Sequence, residues 1–162
     1  MSVQPTEEAD ITLLARLEEA CSGMWNISES DSPVFPYFSN NAALTGDITT
    51  EMITRATQRL WNDKSQEIAG GTRCVESDNM PLDQQLCDAI DVTQFFQTRG
   101  GGEESPDECE GDRQWRELGN LIAANMTGLV GYKYGECEIT YIIAGRSCTG
   151  HLMGILTGSV ET

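Results

Sequence analysis

The chain has 162 residues, 39% of them hydrophobic, and carries a formal net charge of −16. That length fits one domain of the usual ~100–200 residues, and no stretch approaches the ~18 consecutive apolar residues of a membrane-spanning helix. A field of this sign repels nucleic acid and anionic membranes, so direct nucleic-acid or membrane binding is disfavoured, and a basic or metal-bearing surface is the expected partner.

From Met1 to Thr12 the chain is polar and acidic, without a positive n-region or an apolar h-region, so a cytoplasmic protein is expected. Six cysteines (Cys21, Cys74, Cys87, Cys109, Cys137 and Cys148) contain no CxxC pair, which removes zinc-ribbon spacing. The even count permits disulfides, but in a cytosolic setting they read as free thiols.

Residues 7–22 have helical spacing, with Ile11, Leu14, Leu17 and Cys21 on the apolar side, Thr6 as N-cap and Gly23 as terminator. Met24 to Ile27 is strand-like. Pro36 restricts the aromatic run Val34–Phe38 to an edge strand. A helix is expected over 47–60, with Met52, Ile53, Ala56 and Leu60 on one side and Thr49 as a cap, then irregular chain over 61–78. Residues 81–96 are expected to hold one or two short helices. Residues 99–112 read as an exposed loop, with three glycines followed by six acids between Glu103 and Asp112. Trp115, Leu118, Ile122 and Met126 mark the most regular helix, closed by Gly128 and Gly131. Two strands, 136–144 and 152–160, then form a hairpin through Gly145–Gly150.

The chemistry of catalysis is sparse. His151 is the only histidine, so a histidine metal cage is excluded within one chain, and no phosphate-binding glycine loop is present. Cys148 and His151 lie three residues apart, but no third group that would orient the imidazole can be named from the sequence. The chain therefore reads as a binder without a cofactor, not as an enzyme.

One polar stretch stands out: Ser28-Glu29-Ser30-Asp31-Ser32-Pro33, with two acids, three hydroxyls and no base. Together with the preceding Gly23 and Met24, it resembles the N-terminal signature of the nuclease A inhibitor family, small acidic proteins that block sugar-nonspecific nucleases. The C-terminal third is similar too, through Gly135-Glu136-x-Glu138, Gly145, Gly150, Leu152, Gly154-Ile155 and Val160-Glu161-Thr162. The resemblance implies an α+β fold: a single-domain α/β/α sandwich, spanning 1–162, around a largely antiparallel sheet. It also implies that Glu29 and the C-terminal Thr162 enter the active site of a metal-dependent nuclease, where Thr162 becomes a ligand to the partner's divalent metal. Ser28 and Ser30 would shape the motif, and Glu161 would accompany Thr162. The family's contact loop after its Phe-Phe pair falls near Glu108 and Cys109, where the family's tryptophan is missing. The competing expectation is an acidic protein-interaction module on the same fold that binds a different basic partner.

Overall fold

The computed structural model describes residues 5–28, 31–39, 47–68, 81–100 and 109–160. Helix α1 (Glu8–Cys21) forms where Leu13, Leu14, Leu17 and Cys21 fall on one buried face. That face is turned from the expected one. Asp10 is buried on it and Ile11 is half-exposed. Thr6 is not the cap either, because Glu7 holds the N-cap position and makes no side-chain capping bond. Gly23, at φ +75°, then turns the chain out of the helix through backbone space that side chains with a Cβ resist.

Strands β1 (Trp25–Asn26) and β2 (Ser32–Pro33) pair as a small antiparallel ribbon, and β3 (Phe35–Ser39) follows. Helix α2 runs over Thr50–Ile68, with Thr49 accepting a hydrogen bond from the Met52 N–H (3.3 Å) as expected. The helix does not stop at Leu60. Ile53, Thr57, Trp61 and Ile68 continue one buried face into the segment expected to be irregular, as far as Ile68, and Trp61 Nε1 donates to Thr140 Oγ1 (2.9 Å).

After a short 3-10 turn (Leu82–Gln84) come β4 (Cys87–Ile90), α3 (Val92–Gly100), α4 (Glu110–Asn125), β5 (Thr127–Tyr134), β6 (Glu138–Arg146) and β7 (Leu152–Val160). Neither β4 nor β5 was expected. β4 carries almost no apolar signal because its side chains are mostly exposed. β5 was hidden by Gly128 and Gly131, which read as helix stops. Gly131 is required by the sheet itself, because a Cβ there would press on Ile90 and Ile143 at 2.9 Å.

The five-stranded sheet has the order β3-β7-β6-β5-β4 and every neighbouring pair is antiparallel. Pro36 sits on edge strand β3, where its missing N–H costs no ladder bond. Helices α1, α3 and α4 cover one face, packing on Phe38, Ile143, Met153 and Ile155. Helix α2 and the 3-10 turn cover the other, over Tyr37, Ile142, Ala144 and Leu156. The fold is therefore the expected α+β sandwich, and β7 is apolar without alternation because both of its faces are dry. Among the described residues, no helix is long and apolar enough to cross a membrane.

Packing is tightest where β7 crosses β6. A Cβ on Gly154 would fall well inside contact distance of the Ile143 carbonyl and 2.9 Å from the Tyr37 hydroxyl, which itself donates to that carbonyl (3.0 Å). Gly154→Ala is therefore expected to destabilise the fold by about 2–4 kcal/mol through forced backbone displacement, read as a fall in the midpoint of urea unfolding.

Burial also moves the Cys21 thiol from 9.0 up to about 12. The folded state holds the neutral thiol, so its contribution is intact below about pH 9 and drains away as pH rises toward 12. Urea unfolding at pH 8, 9, 10 and 11 should show stability falling more steeply in the wild type than in Cys21→Ala.

Candidate functional site

A two-stranded ribbon is barely stable alone, so the placement of β1 and β2 depends on what fastens them. Trp25 pairs with Pro33 and Asn26 with Ser32. In this extended segment, side chains alternate between two faces. Met24 and Asn26 point inward and are 2% exposed, whereas Trp25 and Ile27 point outward.

Asn26 is the pin. Its Nδ2 donates to the Gly158 carbonyl on β7 (2.6 Å), and its Oδ1 accepts from Arg99 Nε at the end of α3 (2.8 Å). Arg99 is itself fixed: its guanidinium lies 3.8 Å from the Phe95 ring centroid and 5.0 Å from that of Tyr141, and it donates to the Phe95 carbonyl (2.9 Å). On the backbone side, Trp115 Nε1 of α4 donates to the Trp25 carbonyl (3.1 Å).

The second strand of the ribbon is tied in the same way. Ser32 Oγ donates to the Ile68 carbonyl at the end of α2, and Thr157 Oγ1 of β7 donates to the Pro33 carbonyl (2.9 Å). Gly158 makes this closeness possible, since a Cβ there would collide with Ile68.

Ser28 is the one predicted site residue within the described chain, and its position is informative. Its Oγ accepts from the Val160 N–H (3.0 Å), at the last residue of β7, while its own N–H donates to Asp31 Oδ1 (3.3 Å). Glu29, Ser30, Glu108, Glu161 and Thr162 lie outside the described residues. Their neighbours do not. Ser28 precedes Glu29 and Ser30, Val160 precedes Glu161 and Thr162, and one hydrogen bond joins Ser28 to Val160. Glu108 falls in the stretch 101–108, between Gly100, next to the Arg99 that holds Asn26, and Cys109, the N-cap of α4. The residues just before Glu29 and Glu161 are thus joined by a hydrogen bond, and Arg99, close before the stretch 101–108, bonds to Asn26.

The matching model is that of the nuclease A inhibitor-like proteins, over residues 11–162. The chain belongs to the nuclease A inhibitor-like family. No curated protein matches it. Membership in an inhibitor family implies a nuclease as partner and points away from an enzyme.

Two other sequence readings are resolved by the geometry. The group missing from the Cys148 and His151 reading exists: buried Asp10 lies 3.0 Å from His151 Nδ1, and Thr149 Oγ1 donates to the same carboxylate oxygen. No hydrogen bond joins Cys148 to His151 among the described residues, and Cys148 is an exposed free thiol. The cluster ties α1 to the β6–β7 turn. The thiol expectation holds for Cys21, Cys87, Cys109 and Cys148 but fails for Cys137, which is in a disulfide that no CxxC spacing announced.

The sequence missed Asn26, Arg99, Trp25 and Ile27. Alternation in 24–27 offered two equal choices, and tryptophan is ordinarily the residue turned inward. Asn26→Ala should cost about 1–3 kcal/mol, because Gly158 O and Arg99 Nε lose a buried partner. Hydrogen exchange should show the Val160 amide losing protection ahead of the β6–β7 core.

Proposed function

We propose that this protein inhibits a metal-dependent, sugar-nonspecific nuclease by inserting Glu29 and Thr162 together into the nuclease active site. The observation that carries this reading is the Ser28–Val160 hydrogen bond (3.0 Å). Glu29 follows one of its partners directly, and Thr162 follows the other by two residues.

The chemistry fits a phosphate-processing site. A divalent ion such as magnesium takes hard oxygen ligands and keeps exchangeable waters. The carboxylate of Glu29 and the hydroxyl of Thr162 are both suited to replace such waters or to face the basic residues that receive phosphate. With a net charge of −16, the protein presents itself to that site as its polyanionic substrate does. The long-range field accelerates encounter, and the desolvated contacts set the lifetime of the complex.

The test is a titration of nuclease activity, against nuclease A and a panel of metal-dependent sugar-nonspecific nucleases, at low and moderate salt. Stoichiometric inhibition that weakens with salt is expected. Glu29→Gln should cost about 2–5 kcal/mol of binding, and a tag extending the chain past Thr162 should sharply weaken inhibition while the melting temperature stays unchanged. Full inhibition by the tagged protein would rule out the Thr162 role.

A further inference from the structure

Exposed large hydrophobic side chains are few among the described residues: Ile11, Trp25, Ile27 and Leu86. Two of them sit together on the ribbon that leads into Glu29. Trp25 is 51% exposed and Ile27 72% exposed, on the same face, with buried Asn26 between them. A half-exposed tryptophan on a loose segment would carry little meaning. This one is held. Its carbonyl accepts from Trp115 Nε1 (3.1 Å), Asn26 beside it is bonded at both polar ends, and its strand partner Pro33 is bonded from Thr157.

The arrangement keeps apolar surface in water at a fixed orientation, a cost that folding alone does not repay. The inward side of the strand is taken by Met24 and by the polar Asn26. Rigid aromatic surface of this kind is typical of interface anchors, which lose little conformational entropy on docking. We propose that Trp25 and Ile27 form the apolar anchor of the inhibitory surface and seat in an apolar depression on the nuclease, bordered by basic residues, beside the metal site. The inference rests on the inhibitor reading above. The basic border follows from charge: Ser28 to Pro33 holds two acids and no base, in a chain of net charge −16.

The test uses the full chain and a nuclease that the wild type inhibits. Trp25→Ala is expected to weaken inhibition by about 30-fold and Ile27→Ser by about 10-fold, the sizes typical of truncating a central and a neighbouring anchor. The loss should appear as faster dissociation, with the association rate and its salt dependence kept, and Trp25→Phe should recover part of it. Circular dichroism and thermal unfolding should match the wild type, because the Trp25 bond from Trp115 uses the backbone carbonyl. Undiminished inhibition by a folded Trp25→Ala, or a loss confined to the association rate, overturns the anchor and leaves the inhibitor reading standing. A wild-type chain that inhibits no nuclease of the panel overturns both.

Discussion

Asn26 has a donor and an acceptor at the end of one short side chain, and neither reaches bulk water. The donor goes to Gly158 on the sheet and the acceptor to Arg99 on a helix. A buried amide left unpaired costs on the order of a hydrogen bond's full desolvation, so the ribbon, the last strand and α3 are held in one relative position or the penalty is incurred. The aromatic bed under Arg99, formed by Phe95 and Tyr141, keeps the guanidinium from relaxing elsewhere. Everything attributed to the functional surface, from the bond between Ser28 and Val160 to the outward face of Trp25, depends on that pin.

The sandwich places this junction at one end of β7, and the layer structure explains why. β7 is covered on both faces, by α1 and α4 on one side and α2 on the other, so it is firmly held. The surface proposed to enter a nuclease active site would gain from such support, because ordering spent during folding is not spent again on binding. The opposite end of the same strand carries the Asp10, Thr149 and His151 cluster, which secures α1 to the β6–β7 turn. The chain's single histidine thereby takes part in holding α1 to that turn.

Much of this was legible in the residues. The helical stripes at Leu14 and Leu17 and at Trp115, Leu118 and Ile122, the edge-strand proline and the closing hairpin all follow from local periodicity, and periodicity survives folding. What was not legible depended on neighbours distant in sequence. β5 carries Gly131 because Ile90 and Ile143 press against it, which no local rule detects. Ile11 was expected inside, yet it is exposed and the neighbouring Asp10 is buried against Thr149 and His151, 139 residues and more away. At the site, Ser28, Glu29 and Thr162 stood out through resemblance. Asn26 and Arg99, which bring the two ends together, left no sequence mark, because a pin is recognised only by what it joins.

The same pin has a consequence for where this protein can be made. Asn26-Ile27-Ser28 is an acceptor sequon for N-linked sugar, and the nitrogen that would carry the glycan is the one that donates to Gly158. In the folded chain that nitrogen is out of reach of any transferase. During translocation into a eukaryotic secretory pathway it is not, since the ribbon has yet to dock against β7, a strand synthesised well over a hundred residues later. A glycan added in that interval would occupy the space of the bond it replaces, so the order of two events at a single atom, modification and docking, would decide whether the exported chain can fasten its ribbon to β7 through Asn26.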